Sequence, residues 1–493
     1  NCAVYEYKKE DGAGMPRQLH NTNRFNGNAP FTHVYLKKVR YGNMTMYKAG
    51  DAAPVQFMFE TVFDYGEHAE QAPFALEKDW AFRSDAFSEY RAGFEIRNCR
   101  LCKRVLLYHY FNELPGGSAL VKAQHLQYDN NGADSFTFLR AVVSTGYTKH
   151  DDGAYTEKSL PPLHFNYSKY NWNTNVQELP AGSLVHAPVG IDEQQYQFVD
   201  LYSEGLNGIL TEQAAGWFYK QNEGNGRFTD AQMVIAKPSL NGLSSGKTSI
   251  RELEANGIKQ LVSWEDEMPG FFELNERGKW EPFENFEHLP NLNLNDRNCR
   301  LIDVDGDGQA DLLITEDNAF TWYPSLGKKG FGKPSKTCKT FDEEKGPAIV
   351  FADTTQTIFL AGMTGSGLTD IVRIRNGETC YWPNLGYGRF GAKVSMDHAP
   401  VFDQPDQFNS ASIRLADIDG SGTPDIIYLG NKGITIWFNQ QGNRFAVEPK
   451  CIAAVADGAK PASCTVTDLL GTGMPCLVWS SPLPQHQQAP LRF

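Results

Sequence analysis

No stretch of the chain is apolar for as long as a membrane span requires, and no cluster of Lys and Arg stands out. Direct membrane insertion and nucleic-acid binding therefore leave the field first. The formal charge of −13 at pH 7, from 59 acidic against 46 basic residues, would repel a polyanion and is the kind of surface that keeps a protein soluble. Histidine is sparse, 11 in 493 residues, and no HxH or HExxH pair is present to hold a catalytic metal. Cysteine supplies no disulfide framework, because the nine are odd in number and irregularly spread from Cys2 to Cys476. Only Cys99-Arg-Leu-Cys102 has metal or redox spacing. A single such pair in an alternating, strand-like segment reads as buried free thiols. The first residues, Asn1-Cys-Ala-Val-Tyr-Glu-Tyr7, resemble neither a signal peptide nor a natural start, so the sequence reads as part of a longer protein.

What is present points to β structure. Aromatic residues make up 12 % of the chain, with 45 Gly and 26 Pro, a composition that suits many short strands joined by tight turns. At 493 residues the chain exceeds one ordinary core, so it calls for several domains or one large closed array.

The segment Arg300-Leu-Ile-Asp-Val-Asp-Gly-Asp-Gly-Gln-Ala-Asp-Leu-Leu-Ile314 is an Asp/Gly loop between two apolar strands, and it returns as Arg414-Leu-Ala-Asp-Ile-Asp-Gly-Ser-Gly-Thr-Pro-Asp-Ile-Ile-Tyr428. Alignment on its last acidic position, Asp311, places Gly208, Gln260, Asp370, Asp425 and Cys476 in the same register. Six loops at intervals of roughly fifty to sixty residues match the length of a four-stranded propeller blade. About a dozen residues after most loops comes a strand with a large aromatic: Trp217, Phe271-Phe272, Trp322, Tyr381-Trp382 and Trp437. These are expected to fill the wedge between neighbouring sheets as core rather than to stack on a ligand.

The last repeat stops after one or two strands near Trp479 and runs into a Pro/Gln-rich tail, so a ring would need strands from elsewhere to cover its open edge. Strand patterns at 35–42, 56–65, 94–108, 120–128, 136–143 and 163–167 can supply them. The expected fold is all-β: a six-bladed β-propeller, with seven blades as the alternative, closed by N-terminal strands. Residues 1–190 are expected to complete and extend the ring and 191–493 to carry five to six repeats, in a single propeller domain overall.

Chemistry is concentrated in the acidic loops. Asp303, Asp305, Asp307 and Asp311 have the spacing by which a loop wraps a hard cation in oxygen ligands, and Asp417, Asp419, Ser421 and Asp425 keep most of it. The loop ending at Asp370 has Gly362, Thr364 and Ser366 instead, so Asp and Gly also serve as plain turn formers. Calcium is thus the one candidate ion, and no cofactor is required. Gly242-Leu-Ser-Ser-Gly246 fits the nucleophile-elbow pattern but lacks the strand before it and the helix after it. Ser245-Gly-Lys-Thr248 lacks the first glycine of a phosphate loop. Glu265/Asp266/Glu267 and Glu343/Glu344 read as solvated loop faces, and no catalytic set emerges.

The block Asp85-Ala-Phe-Ser-Glu-Tyr-Arg-Ala-Gly-Phe-Glu-Ile-Arg-Asn-Cys-Arg-Leu-Cys-Lys-Arg-Val-Leu-Leu-Tyr-His-Tyr-Phe111 resembles the block that follows the SpvB-like region in B components of bacterial Tc (ABC-type) toxins. Tyr35-Leu-Lys-Lys-Val-Arg-Tyr-Gly-Asn43, Phe63-Asp-Tyr-Gly-Glu-His68 and Leu160-Pro-Pro-Leu-His-Phe-Asn-Tyr167 look like further parts of that pattern, and the repeats are similar to FG-GAP/VCBS repeats. The resemblance implies a secreted, non-enzymatic virulence protein. Its propeller would dock onto a pentameric, channel-forming A component and act as gatekeeper for translocation of an unfolded effector polypeptide. The remainder of the B chain would join the C component in a shell. The rival reading is a calcium-dependent adhesion or lectin-like propeller.

Overall fold

Alternating apolar and polar side chains build strands along almost the whole chain, and glycines at positive φ turn them back. The computed structural model describes residues 2–48, 50, 52, 54–129, 136–168, 175–186, 196–213, 216–234, 238, 243, 248–264, 269–352, 357–430, 433–452, 464–480 and 491–493. Among them the only α-helices are the single turns Thr22–Phe25 and Ala181–Leu184. Contacts divide the chain into two units, Asn1–Tyr170 and Asn171–Phe493.

The first unit is an eight-stranded antiparallel sheet. Its order runs Ala3–Lys9, Val34–Asn43, Phe57–Asp64, Arg104–His109, Ala119–Asp129, Phe138–Lys149 and Leu163–His164, with Tyr155–Ser159 also pairing Phe138–Lys149. Val62, Phe74, Leu106, Leu120, Ala123 and Tyr147 form its apolar core. The single long strand expected at 94–108 is broken into Ile96–Asn98 and Arg104–His109. Within the break, the fully buried Arg100 side chain pairs with Glu10, 90 residues away, with its guanidinium over the Trp80 ring at 4.3 Å. Arg24 with Glu95 and Arg104 with Asp64 make two more buried pairs.

The second unit is a ring of six antiparallel sheets. Blade 1 comprises Tyr196–Val199, Gly208–Gln213, Gly216–Lys220 and Gln232–Met233; blade 2 comprises Thr248–Arg251, Gln260–Ser263, Gly270–Glu273 and Glu284–Asn285. Blade 3 runs through Cys299–Ile302, Asp311–Thr315, Ala319–Tyr323 and Ser335–Cys338, and blade 4 through Ile358–Ala361, Asp370–Arg375, Glu378–Trp382 and Val394–Ser395. Blade 5 has Ile413–Ala416, Asp425–Gly430, Gly433–Trp437 and Lys450–Ile452; blade 6 has Cys464–Thr467, Cys476–Ser480 and Leu491–Arg492.

Blade 6 gains its fourth strand from the other end of the unit. Gln177 and Phe493 exchange backbone hydrogen bonds of 2.9 and 3.0 Å, and Glu178 bridges to Arg492 beside an ion pair of 3.2 Å. The ring is thus closed by chain N-terminal to blade 1, as expected, through the pairing of Gln177 and Glu178 with the last strand. The strands at 3–164 form the separate sheet instead. Leu179, Ile209, Phe228, Leu469, Val478 and Leu491 pack the seam between blades 6 and 1.

Bulky side chains fill every seam. Trp217, Trp382 and Phe271 are at most 1 % exposed, and Trp322 and Trp437 are also buried, so the repeated aromatics are core. Three seams carry a further tie: Asn384 Nδ2 donates to Val304 O (3.0 Å), Asn439 Nδ2 to Met363 O (3.0 Å) and Asn222 Nδ2 to Leu469 O (3.3 Å). Each Asn follows the third strand of its blade and reaches the loop of the blade before. Blade 2 is the only blade without such a tie on either side among the described residues, since Asn275 Oδ1 accepts within its own turn and blade 3 has Ser325 at this point.

Candidate functional site

All six residues aligned on Asp311 begin the second strand of their blade. In three blades that residue is an aspartate with no exposed surface, and its two oxygens do the same work each time. Asp311 accepts from Val304 N (3.1 Å) and Ser325 N (2.6 Å), Asp370 from Met363 N (2.9 Å) and Asn384 N (2.9 Å), and Asp425 from Ile418 N (3.0 Å) and Asn439 N (2.8 Å). One carboxylate thereby ties the loop after the first strand to the end of the third. The buried amides would otherwise lack partners, which is costly in a low dielectric.

The other three blades carry different chemistry at this position. Gln260 Oε1 accepts from Leu253 N at 3.0 Å, and its amide donates to Glu273 at 3.0 Å. In blade 1 the position is Gly208, because the Tyr219 hydroxyl occupies the space a Cβ would need, accepting from Leu201 N and donating to Val199 O. In blade 6 the position is Cys476, a partly buried free thiol whose pKa burial raises. Asp370 works without any carboxylate neighbour in its loop, so the last aspartate of the motif is a strut before it is anything else.

The first aspartate of each loop is also occupied. Asp303 accepts from Gly306 N and Gly308 N, Asp417 from Ser421 N and Gly422 N, and Asp468 from Gly471 N and Gly473 N. The glycines at positive φ, Gly306 and Gly308 among them, let these turns close. Oxygens of Asp303, Asp305 and Asp311 lie within 4.8 Å of one another, as do those of Asp417, Asp419 and Asp425. Asp307 instead accepts from Gln309 N, and Ser421 Oγ bonds Thr423, so the structure gathers three of the four expected side chains in each loop. The donor set fits a hard cation. Burial, with neighbouring carboxylates, raises the pKa of Asp305 and Asp419.

Burial also pushes Asp311 and Asp370 up to about 7 and Asp425 up to about 8. A carboxyl whose folded pKa is raised favours folding most below its ordinary value near 4, and that contribution is lost as pH rises through 7 to 8. In chelator, the melting temperature is therefore expected to fall between pH 5.5 and 8.5. Millimolar calcium should flatten the part due to Asp311 and Asp425 and leave the part due to Asp370, which a melting series of Asp370→Asn with and without calcium would separate.

Other candidates resolve into structure. Burial raises the thiols of Cys99 and Cys102 to about 11, and they form no disulfide. Asp64, Glu67 and His68 form a third acidic group that sequence spacing did not flag. Burial pushes Asp64 up, but hydrogen bonds from His68, Arg104 and Gly66 N outweigh it and hold it at about 2, while Lys37 pairs with Glu67. Glu343 and Glu344, expected to be solvated, bind Arg373 and Lys393 of blade 4 at 2.5 to 3.1 Å, and Glu343 O accepts from the Trp382 indole. Residues 242, 244–246, 265–267 and the tail at 482–490 lie outside the described residues.

Residues 1–111 match the family model described as Salmonella virulence plasmid 65kDa B protein, SpvB. Over 107 residues the chain is 46 % identical to mono(ADP-ribosyl)transferase SpvB of Salmonella typhimurium and of Salmonella dublin, a match that covers 20 % of this chain and 18 % of each relative. The structure superposes over 99 % of its length on the Tc holotoxin pore of Photorhabdus luminescens, with TM-score 0.84 and 27 % identity, covering 22 % of that chain. A complex of TcdB2, TccC3 and Cdc42 matches over the same 99 % with TM-score 0.68 and 25 % identity, covering 23 % of its chain. The chain thus spans about a fifth of the length of the proteins it matches. The resemblance to SpvB-bearing B components of Tc toxins holds for the block at the start and for the six-bladed β-propeller. The comparisons carry no match to FG-GAP repeats.

Proposed function

We propose that this chain is the non-catalytic, propeller-bearing part of a secreted toxin-complex B component, which docks onto a pentameric A-component channel and gates passage of an unfolded effector held in a shell with the C component. The observation that carries this reading is the whole-length likeness to a segment of the Tc holotoxin pore. The bottom-up chemistry agrees with it. The conspicuous polar groups of the ring, from Asp311 to Asn439, are spent on backbone amides and neighbouring blades, and such groups hold a scaffold rather than turn over a substrate. Among the described residues no helix is long and apolar enough to cross a membrane, so the channel belongs to the partner in this reading. Calcium in the loops of Asp303 and Asp417 would stiffen blades 3 and 5.

A gate needs an element close to its stability limit that partner binding can bias. Blade 2 is that element in this account. It lacks an asparagine tie at either seam and uses Gln260 as its strut. It holds blade 3 through Lys328, which pairs with Glu254 at 3.3 Å and Glu273 at 2.5 Å. Hydrogen exchange tests this. Amides of Gln260–Ser263 should exchange faster than those of Asp370–Arg375, and binding to the channel pentamer should widen the gap. Equal protection in both strands, free and bound, would rule blade 2 out as the moving part.

A further inference from the structure

Arg251 ends the first strand of blade 2 and pairs in register with Gln260. The residue at that register point in the other five blades is Val199, Ile302, Ala361, Ala416 or Thr467, each opposite its own strut position. Five blades therefore place a small or apolar side chain against the next seam, and blade 2 places a guanidinium there. Its strut is a neutral amide, so the blade offers no opposing charge where blades 3, 4 and 5 would have offered an aspartate.

No carboxylate pairs with Arg251 among the described residues; its one hydrogen bond is from Nε to Ser249 Oγ at 3.0 Å. Burial alone lowers its pKa, with no compensating anion. The adjacent acids are already engaged. Glu252 accepts from Gly257 N and Lys259, and Glu254 pairs with Lys328. The buried Arg100, Arg104 and Arg373 each have a carboxylate partner, Glu10, Asp64 and Glu343 in turn, whereas the partly exposed Arg251 has none among the described residues. Arg300, one strand along, is satisfied by the carbonyls of Arg297 and Cys299. Among the described residues, then, a partly desolvated guanidinium without a carboxylate partner faces the seam, and it is free to take an anion from outside.

The space for one is present. Arg251 lines a cavity of about 240 Å³ between blades 2 and 3, together with Leu253, Trp264, Leu301, Phe331 and Glu252, whose carboxylate is held by Gly257 N and Lys259. Trp264 stacks on Phe286 with ring centroids 4.9 Å apart, lies 5.8 Å from Phe331, and has a buried indole N–H without a hydrogen-bond partner among the described residues. A cavity of roughly 150 Å³ accepts benzene, so this one suits a somewhat larger planar group. We infer that the seam between blades 2 and 3 is a binding site for a carboxylate carried on a flat apolar body, with Arg251 gripping the carboxylate and Trp264 covering the body. Arg matches a carboxylate with two parallel N–H donors, which makes charge rather than shape the larger share of recognition.

The carboxylate could belong to a free acid or to the end of a polypeptide, and the probes separate these sources. The full chain is titrated with phenylacetate and indole-3-acetate, with N-acetylphenylalanine as a mimic of a chain terminus, and with the uncharged amide of each. At least one acid should raise the melting temperature and bind at least tenfold more tightly than its amide. Tighter binding of N-acetylphenylalanine identifies a chain terminus as the source, and tighter binding of the simple acids a free metabolite. Arg251→Met, which restores an apolar residue like those of the other blades, should keep the fold and lose the acid-specific shift. Equal response to acids and amides, no response to either, or an acid shift that survives Arg251→Met would each overturn the assignment. None of these outcomes depends on whether the ring docks onto a channel.

Discussion

Asp370→Ala is expected to lower the free energy of unfolding by about 2–6 kcal/mol, because it leaves two buried amides, of Met363 and Asn384, without an acceptor at about 1–3 kcal/mol each. Asp370 has no exposed surface, so water cannot take over without opening the blade. The loss should spread beyond blade 4. Asn384 also donates to Val304 O in blade 3, and freeing its backbone loosens that tie as well. Asp303→Ala is the informative contrast. It removes an exposed loop cap and should cost about 0.5–2 kcal/mol, as a lost cap does. Denaturant melts of the two variants check the ranking. If Asp303→Ala proved the more damaging in chelator, the last aspartate of the motif would not be the strut described here.

Leu179→Asp is expected to be at least as severe, about 4 kcal/mol or more, since it removes a leucine buried among Ile209, Phe228 and Leu491 and puts a carboxylate in its place. Leu179 directly follows Gln177 and Glu178, the residues that pair with the last strand. Its loss exposes a sheet edge on blade 6, so aggregation should accompany the fall in stability. Denaturant melts and light scattering measure both effects. A variant that melts like the parent and stays monomeric would show that the ring does not depend on this closure.

The blade count and register were legible because an Asp/Gly loop between apolar strands is a strong local pattern, and the weaker copies at Gly208, Gln260 and Cys476 fell at the same spacing. The aromatics that fill the seams were legible for the same reason. What the motif residue does was not. The second partner of Asp311, Asp370 and Asp425 lies 14 residues downstream, across the blade, where no local pattern announces it. The closing segment escaped notice because Gln177 and Glu178 are too few to show alternation, and their partners stand at the far end of the chain. Strands within 3–164 look locally like blade strands. Only pairing reveals that eight of them join in one sheet, while Phe87–Glu89 and Ile96–Asn98 pair with each other. Buried ion pairs such as Glu10 with Arg100 are likewise invisible at a separation of 90 residues.

The central claim is that this ring is a docking element for a channel, and mass measurement of the mixed components tests it most directly. Purified chain added to a pentameric A-component channel should give a complex of one chain per pentamer, formed in calcium and in chelator alike. Absence of a complex under both conditions would contradict the account, and binding to glycans that requires calcium would favour the adhesion reading in its place.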